Sequence, residues 1–262
     1  MNNIKNLIKR IFLVFGISFF AKEKIDLFNK NLRLILFGEI SNHFNSYDFN
    51  FFKNSKSQIM QDYFVASYFK FKKNGVFIEF GATDGIKDSN TYYLEKNYSW
   101  SGVLIEPIKS FYYELKKNRT STCLNKVVYS ENEKELIFQE NSFKELSTIK
   151  GYGNYDKHRR DNSELNEYKV NSIKLENIFE DYLKTNQIDY LSIDTAGSEF
   201  EILKNFNFKK YKINVITVEH NYSNNRAKIK KLLIQNGYSR ILESLSFWDD
   251  YYVLDQNQTT WT

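Results

Sequence analysis

The stretch 75–90, "GVFIEFGATDGIKDSN", joins an apolar run to an acidic residue, a glycine-flanked turn and a helix-capping triplet. Read as strand, sharp turn and helix start, it puts Gly81 and Gly85 where backbone can come close to a ligand, with helix N–H groups left free. The turn reads G-A-T-D-G and lacks the G-x-G-x-x-G of a dinucleotide site. Glu79 and Asp84 would repel a pyrophosphate but suit a ligand with a cationic amino-acid portion. A second apolar run, "GVLIEP", ends in Glu106, 27 residues after Glu79, and is stopped by Pro107. A carboxylate there can accept hydrogen bonds from a ribose 2′,3′-diol. Either acid alone would read as a residue that merely ends a strand. Together, in register and without the dinucleotide fingerprint, they point to S-adenosylmethionine, and the same turn disfavours a nicotinamide-dependent dehydrogenase.

These residues need a scaffold that gathers strand ends. From Gly75 onward, apolar runs alternate with amphipathic segments. "GVFIEF", "GVLIEP", "TCLNKVVYS", "IDYLSIDT" and "INVITVEH" read as strands, with "KELIFQE" as an extra one. "SNTYYLEKN", capped by Ser89, "IKSFYYELKKN", "LENIFEDYLKT", "SEFEILKNF" and "NRAKIKKLLIQNG" read as helices, the last ended by Gly237. "YSRILESL" and "DDYYVL" close the pattern as antiparallel strands. Such alternation implies an α/β, doubly wound, mostly parallel sheet, whose ligands sit at the carboxyl ends of the strands. Residues 1–56 read as a helical extension, with helices expected over 4–20 and 24–38, and residues 57–262 as the sheet domain, entered through a helix over "QIMQDYFVASYFKFK" capped by Ser57.

The chain has 262 residues, net charge +5, 42% hydrophobic and 17% aromatic residues, and one proline. That supports a sizeable core, and the mild basicity fits an anionic small substrate without an accompanying nucleic-acid-binding motif. One cysteine, Cys123, cannot form an internal disulfide, which suits a reducing cytoplasm, and three histidines with that cysteine do not suit a structural zinc site. The apolar run "IFLVFGISFFA" follows Lys5, Lys9 and Arg10 but lacks a convincing signal-peptide cleavage site. It is shorter than the roughly 20 residues that span a bilayer. It reads as a buried or interface helix, or alternatively as a monotopic helix on the inner membrane face.

The words "SKSQIMQDYFV", "GVFIEFGATDGIKDSNTYYLEK", "WSGVLIEP", "IDYLSIDTAGSEFEIL", "ITVEHN" and "FWDDYYV", in this order, resemble the FkbM family of S-adenosylmethionine-dependent methyltransferases. The resemblance runs from about residue 55 to 254 and implies a seven-stranded class I methyltransferase fold. It maps the family's first motif onto Glu79, Gly81, Ala82, Thr83, Asp84 and Gly85, around the methionine part of the cofactor, with Ser89 and Asn90 continuing the loop. Glu106, followed by Pro107, falls on the ribose-binding position, and Asn125 is a weaker candidate for the adenine side. The family's D-x-E-G reads D-T-A-G here, so Ala196 departs from the pattern.

Methyl transfer to a hydroxyl requires in-line alignment and removal of the hydroxyl proton. Asp194 ends the fourth strand; Glu219 and His220 end the fifth, and all three are expected to rim one pocket. Two routes for the proton stand side by side. In one, magnesium or manganese is held by Asp194 and His220, with Thr83 or Glu219 completing an open ligand set. In the other, His220 is the general base and Asp194 orients it. His220 also has a plain reading as a loop histidine bonded to backbone. Lys157, His158, Arg159 and Arg160, with Tyr152 and Tyr155, read either as a lid for a phosphorylated acceptor or as a solvated loop. The expectation is a cytoplasmic O-methyltransferase, in possible peripheral contact with the inner membrane, acting on a sugar hydroxyl, with a nucleotide-linked sugar of a bacterial surface polysaccharide as acceptor. N-methylation, secondary-metabolite O-methylation and a non-catalytic cofactor-binding module are the alternatives.

Overall fold

The computed structural model describes residues 22–153 and 165–255. A helix, α1 (Lys22–Phe44), leads through α2 (Phe49–Asn54) and α3 (Gln61–Tyr68) into the sheet. The sheet strands are β1 (Val76–Phe80), β2 (Ser101–Ile105), β3 (Thr122–Leu124), β8 (Gln187–Ile193), β9 (Lys212–Glu219), β10 (Tyr238–Ile241) and β11 (Asp249–Leu254). Their spatial order is β3-β2-β1-β8-β9-β11-β10, parallel except that β11 runs antiparallel to both its neighbours. This is the seven-stranded, doubly wound class I methyltransferase arrangement. The order reverses between β1 and β8, where loops diverge to opposite faces and open a crevice.

The strands are buried on both faces. On one, Phe77, Leu104, Tyr190 and Tyr251 pack with Leu36, Phe37 and Ile40 of α1, Phe51 of α2 and Phe64 of α3, beside α4 (Tyr92–Tyr98) and α5 (Lys109–Asn118). On the other, Ile78, Ile105, Leu191 and Val218 meet Phe179, Leu203 of α7 (Glu199–Lys204) and Leu233 of α8 (Asn225–Gln235). Alternation along β1 and β2 thus sends neighbouring side chains to different cores. The boundary expected at residue 56 runs through the first core: the Phe51 and Tyr93 ring centroids are 4.4 Å apart and those of Phe37 and Tyr63 4.8 Å.

Several segments depart from the sequence reading. The expected third strand splits: Thr122–Leu124 stays in the main sheet, while β4 (Val127–Val128) joins a second sheet of order β4-β7-β5-β6. Its other members are β5 (Glu135–Glu140), β6 (Thr148–Ile149) and β7 (Asn166–Ile173), the last from a stretch to which the sequence reading assigns no element. β7 pairs antiparallel with the charged strand β5, so cross-strand pairing decided what local polarity hid. "LENIFEDYLKT" forms one α turn, α6 (Leu175–Asn177), continued as a π turn over Ile178–Leu183. Ser57 does not cap α3. Met60 does, in the left-handed conformation at φ 62°, while the Ser57 hydroxyl donates to buried Asp62 at 2.5 Å. The helix expected over 4–20, the run 11–21 and the cluster 157–160 with Tyr155 lie outside the described residues. Among the described residues no helix is long and apolar enough to cross a membrane.

Candidate functional site

At the carboxyl ends of β1, β2 and β8 lies a cleft of about 250 Å³. The second sheet roofs one end through Val127, Phe138 and Ile149, and the residues around Gln58, Gln61 and Asp249 close the other.

The glycine turn is held by the sheet itself. The Gly81 and Ala82 N–H groups donate to Ile105 O at 3.1 and 3.2 Å. A Cβ at Gly81 would stand 2.4 Å from the Asp194 carbonyl oxygen, and the residue has φ 68°, so only glycine lets this loop lie against the end of β8. Thr83, at φ 47°, is β-branched in the left-handed region, a costly conformation that its surroundings must impose. Its N–H donates to Glu106 Oε2 at 2.9 Å, and its hydroxyl donates to Lys87 O. Asp84 Oδ1 accepts from the N–H groups of Ile86 and Lys87, both at 2.8 Å, closing the turn. At Gly85, φ 81°, a Cβ would strike Leu115 and Arg119.

Glu79 does not line the cleft. Its buried carboxylate accepts from Ser89 Oγ, from Asn90 N at 2.7 Å and from the Thr91 hydroxyl, and Arg119 stands 3.7 Å away. Burial raises its pKa, and Arg119 opposes the shift. Arg119, which the sequence reading passed over, also donates to Gly85 O, to Ser89 Oγ and to Glu95. Together these two residues fasten the loop from behind. Ser89 does serve the helix start, its hydroxyl accepting from Tyr92 N at 3.1 Å.

The residues facing the cleft fit S-adenosylmethionine. Asn90 is 9% exposed; its amide donates to Ser192 Oγ at 2.9 Å, and its buried Oδ1 has no partner. A lone acceptor of this kind suits the cofactor's ammonium group. Glu106 lines the cleft beside Pro107, with one N–H, from Thr83 or Ile108, on each carboxylate oxygen. Each oxygen keeps acceptor capacity for a ribose hydroxyl. Burial, with the charges of Asp194 and Glu140 adding, pushes the Glu106 carboxyl up to about 8. Ile108, Phe111 and Phe138 supply the apolar surface that an adenine needs. Asn125 is spent otherwise: its amide donates to the carbonyls of Glu106 and Pro107, bracing the turn after β2.

Register brings the acids together at the opposite end. Ile193 pairs with Val218 and Asp249 with Glu219, so Asp194, Glu219 and Asp249 stand side by side on adjacent strands. The Glu219 carboxyl is held well above its ordinary pKa, first by burial and then by the charge of Asp194, with which it shares a hydrogen bond. The Asp249 carboxyl is pushed up to about 8 by burial, with the charges of Asp194, Asp250 and Glu199 adding. Glu199 accepts from the N–H groups of Thr195 and Gly197, bracing the loop in which Ala196 adopts φ 53°. Asp194, Thr195, Ala196 and Asp249 line the cleft.

His220 does not line it. Its Nδ1 accepts from Tyr222 N at 3.0 Å, and its Nε2 lies 3.1 Å from Ser246 Oγ and 3.6 Å from Asp250. Asp250 in turn takes Arg226 at 2.7 and 2.9 Å. The expected magnesium or manganese site therefore does not form. With Nδ1 and Nε2 so engaged, and with the Thr83 hydroxyl turned to a backbone carbonyl, Asp194, His220 and Thr83 do not converge. Among the described residues no group of three histidine, cysteine or acidic side chains is arranged to hold a metal ion.

Gln58, Gln61 and Asp249 were not singled out from the sequence as site residues, although both segments belong to the words that carry the resemblance. The signal was an aspartate opening the last strand, antiparallel to its neighbours and so bringing its amino end to the cleft.

A precorrin-6y C5,15-methyltransferase from Geobacter metallireducens GS-15 aligns over 77% of this chain and 89% of its own, at 12% identity and a TM-score of 0.40. A methyltransferase from Pyrococcus furiosus aligns over 74% and 80%, at 12% identity and a TM-score of 0.37. No curated protein sequence is a significant match. The model of the methyltransferase FkbM domain matches residues 79–251, from the acid that fastens the glycine turn to the last strand described. The chain belongs to the FkbM-domain family of methyltransferases.

Proposed function

We propose that this methyltransferase acts on a hydroxyl of a sugar, carried on a nucleotide and destined for a bacterial surface polysaccharide, in the cytoplasm. Bound S-adenosylmethionine supplies a methyl group on a sulfonium, and the new O–CH3 bond forms in line as the S–CH3 bond breaks. Glu106 holds the ribose diol, Asn90 the ammonium, and the Gly81–Asp84 turn approaches with backbone. Asp194, open in the cleft, takes the proton from the acceptor oxygen. Glu219 hydrogen-bonds it from behind, and His220, bonded to Ser246 with Asp250 3.6 Å away, fixes the corner between β9 and β11.

The observation that carries this reading is the row of carboxyl groups on β8, β9 and β11 at the cleft's far end. Such groups accept from and donate to hydroxyls and need no metal. Lys87 and Lys144 on the rim support a phosphate-bearing acceptor: they lie along the cleft, paired with Glu145 and with Ser110 and Glu140 respectively. The lone cysteine supports a reducing compartment. The test is incubation with isotopically labelled S-adenosylmethionine and a panel of nucleotide sugars, read by mass spectrometry. Labelled O-methyl sugar is the expected product. Transfer to amines alone, or none to any sugar by protein that binds the cofactor, would refute the assignment.

A further inference from the structure

Gln61 opens α3, directly after Met60 in its left-handed conformation. Its Oε1 accepts from Ile59 N at 3.0 Å, which fixes the amide so that Nε2 points at Asp249. Nε2 donates to Asp249 Oδ2 at 2.8 Å. The segment carrying Gln61 is pinned in turn: Tyr251 donates to Ile59 O and the Trp248 indole donates to Gln58 Oε1. Asp249 is 5% exposed and lines the cleft. Gln61 is the only hydrogen-bond donor to its carboxyl among the described residues, and it takes Oδ2. Oδ1 is left to the cleft, which Asp194 also lines.

We propose that Asp249, aimed by Gln61, binds the acceptor oxygen adjacent to the hydroxyl being methylated, so that the enzyme selects vicinal diols over isolated hydroxyls. This rests on the sugar-hydroxyl reading and adds a specificity to it. Asp194 at the end of β8 and Asp249 at the start of β11 line the same cleft from either side of β9, so two oxygens on neighbouring carbons held between them can be taken one by each carboxyl group. The roles separate by chemistry. Asp194, hydrogen-bonded by Glu219, is the acceptor for the departing proton. Asp249 is buried and faces the charges of Asp194, Asp250 and Glu199, which favours its neutral form at neutral pH. With Oδ2 accepting from Gln61, its proton sits on Oδ1 and is donated to the second oxygen. An amine or a lone alcohol leaves that donor without a partner, which is how a polar subsite rejects an analogue that lacks the matching group.

The test uses the full-length protein saturated with S-adenosylhomocysteine. Binding of cis-1,2-cyclohexanediol and of cyclohexanol is followed by ligand-observed NMR titration in the wild type, Asp249→Ala and Asp249→Asn. The diol is expected to bind roughly tenfold tighter than the monol, the worth of one good hydrogen bond. Asp249→Ala should abolish that preference. Asp249→Asn should keep it, because its carboxamide still accepts from Gln61 and still donates into the cleft. S-adenosylhomocysteine affinity, measured by calorimetry, should be equal in all three, which also establishes that the variants are folded. Equal binding of the two probes by the wild type, a preference that survives in Asp249→Ala, or a loss of S-adenosylhomocysteine affinity confined to the variants would each overturn the proposal. A wild type that fails to bind S-adenosylhomocysteine would instead overturn the cofactor reading beneath it.

Discussion

Glu106→Gln should weaken cofactor binding by an amount that depends on pH. In the free protein the Glu106 carboxyl is pushed up to about 8 by burial, with N–H groups of Thr83 and Ile108 at 2.9 and 2.8 Å opposing the shift. A ribose diol donates to the carboxylate, so binding selects the ionised form. Below its pKa, each pH unit costs binding about 1.4 kcal/mol, because the proton must first leave. At pH 8.5 the carboxylate is mostly formed, and its loss removes charge-assisted hydrogen bonds worth about 1.5–3 kcal/mol. That is roughly a 10- to 150-fold rise in Kd. At pH 7 the wild type forfeits about tenfold to ionisation, so the gap between wild type and variant shrinks by about that factor. The glutamine does not titrate, and its own profile should lack this component. Calorimetric titration with S-adenosylhomocysteine between pH 6.5 and 8.5 measures both curves. The glutamine must also turn its NH2 toward one of the two backbone donors, so thermal melts should accompany the titration to separate a folding loss. Parallel curves for the two proteins, or equal affinity at pH 8.5, would refute the role given to Glu106.

Asp194→Asn should lower kcat about 10²- to 10⁴-fold, the usual worth of a positioned base, with cofactor affinity kept, as read by single-turnover methyl transfer and calorimetry. Methyl transfer should survive treatment with EDTA, since His220 is turned to Tyr222 and Ser246; activity restored only by added magnesium or manganese would contradict that. Gly81→Ala should destabilise the fold by about 1–3 kcal/mol, through its positive φ and a Cβ 2.4 Å from Asp194 O, measurable by urea denaturation. Removing residues 1–56 should prevent stable folding, because Leu32, Leu36, Phe37, Ile40 and Phe51 leave a shared core at about 1.5–3 kcal/mol each. That sum rivals a typical domain stability of 5–15 kcal/mol; a truncated protein with a native-like melt and full cofactor affinity would refute it.

β1, β2, β8 and β9 were legible because each is a short apolar run closed by Gly, Asp or Glu, and the turn after β1 was legible because glycine and acid have few other reasons to meet there. Glu106 and Asp194 followed from strand ends alone. Other roles depended on contacts that no local pattern carries. Glu79 reads as a ligand for the cofactor until Arg119, 40 residues on, is seen to share its work of fastening the loop. His220 ends the right strand, yet its ring follows Ser246 and Asp250. β7 is a strand by virtue of β5, and "NEYKVNSI" alone, with a lysine and two asparagines, does not announce it.

The link from Gln61 to Asp249 spans 188 residues, and this has a consequence for the order in which the protein becomes competent. Glu106, Asn90 and the glycine turn come from neighbouring stretches of chain, so their contacts close at small loop entropy. The side of the cleft lined by Asp249 needs β11 to insert antiparallel between β9 and β10 and reach back to the start of α3, a step of high contact order and correspondingly slow. During synthesis, contacts around the glycine turn can form first, while Gln61 and Asp249 come together only after β11 has left the ribosome. A nascent or C-terminally clipped chain thus lacks Asp249 and, with it, the link to Gln61 that closes this side of the cleft.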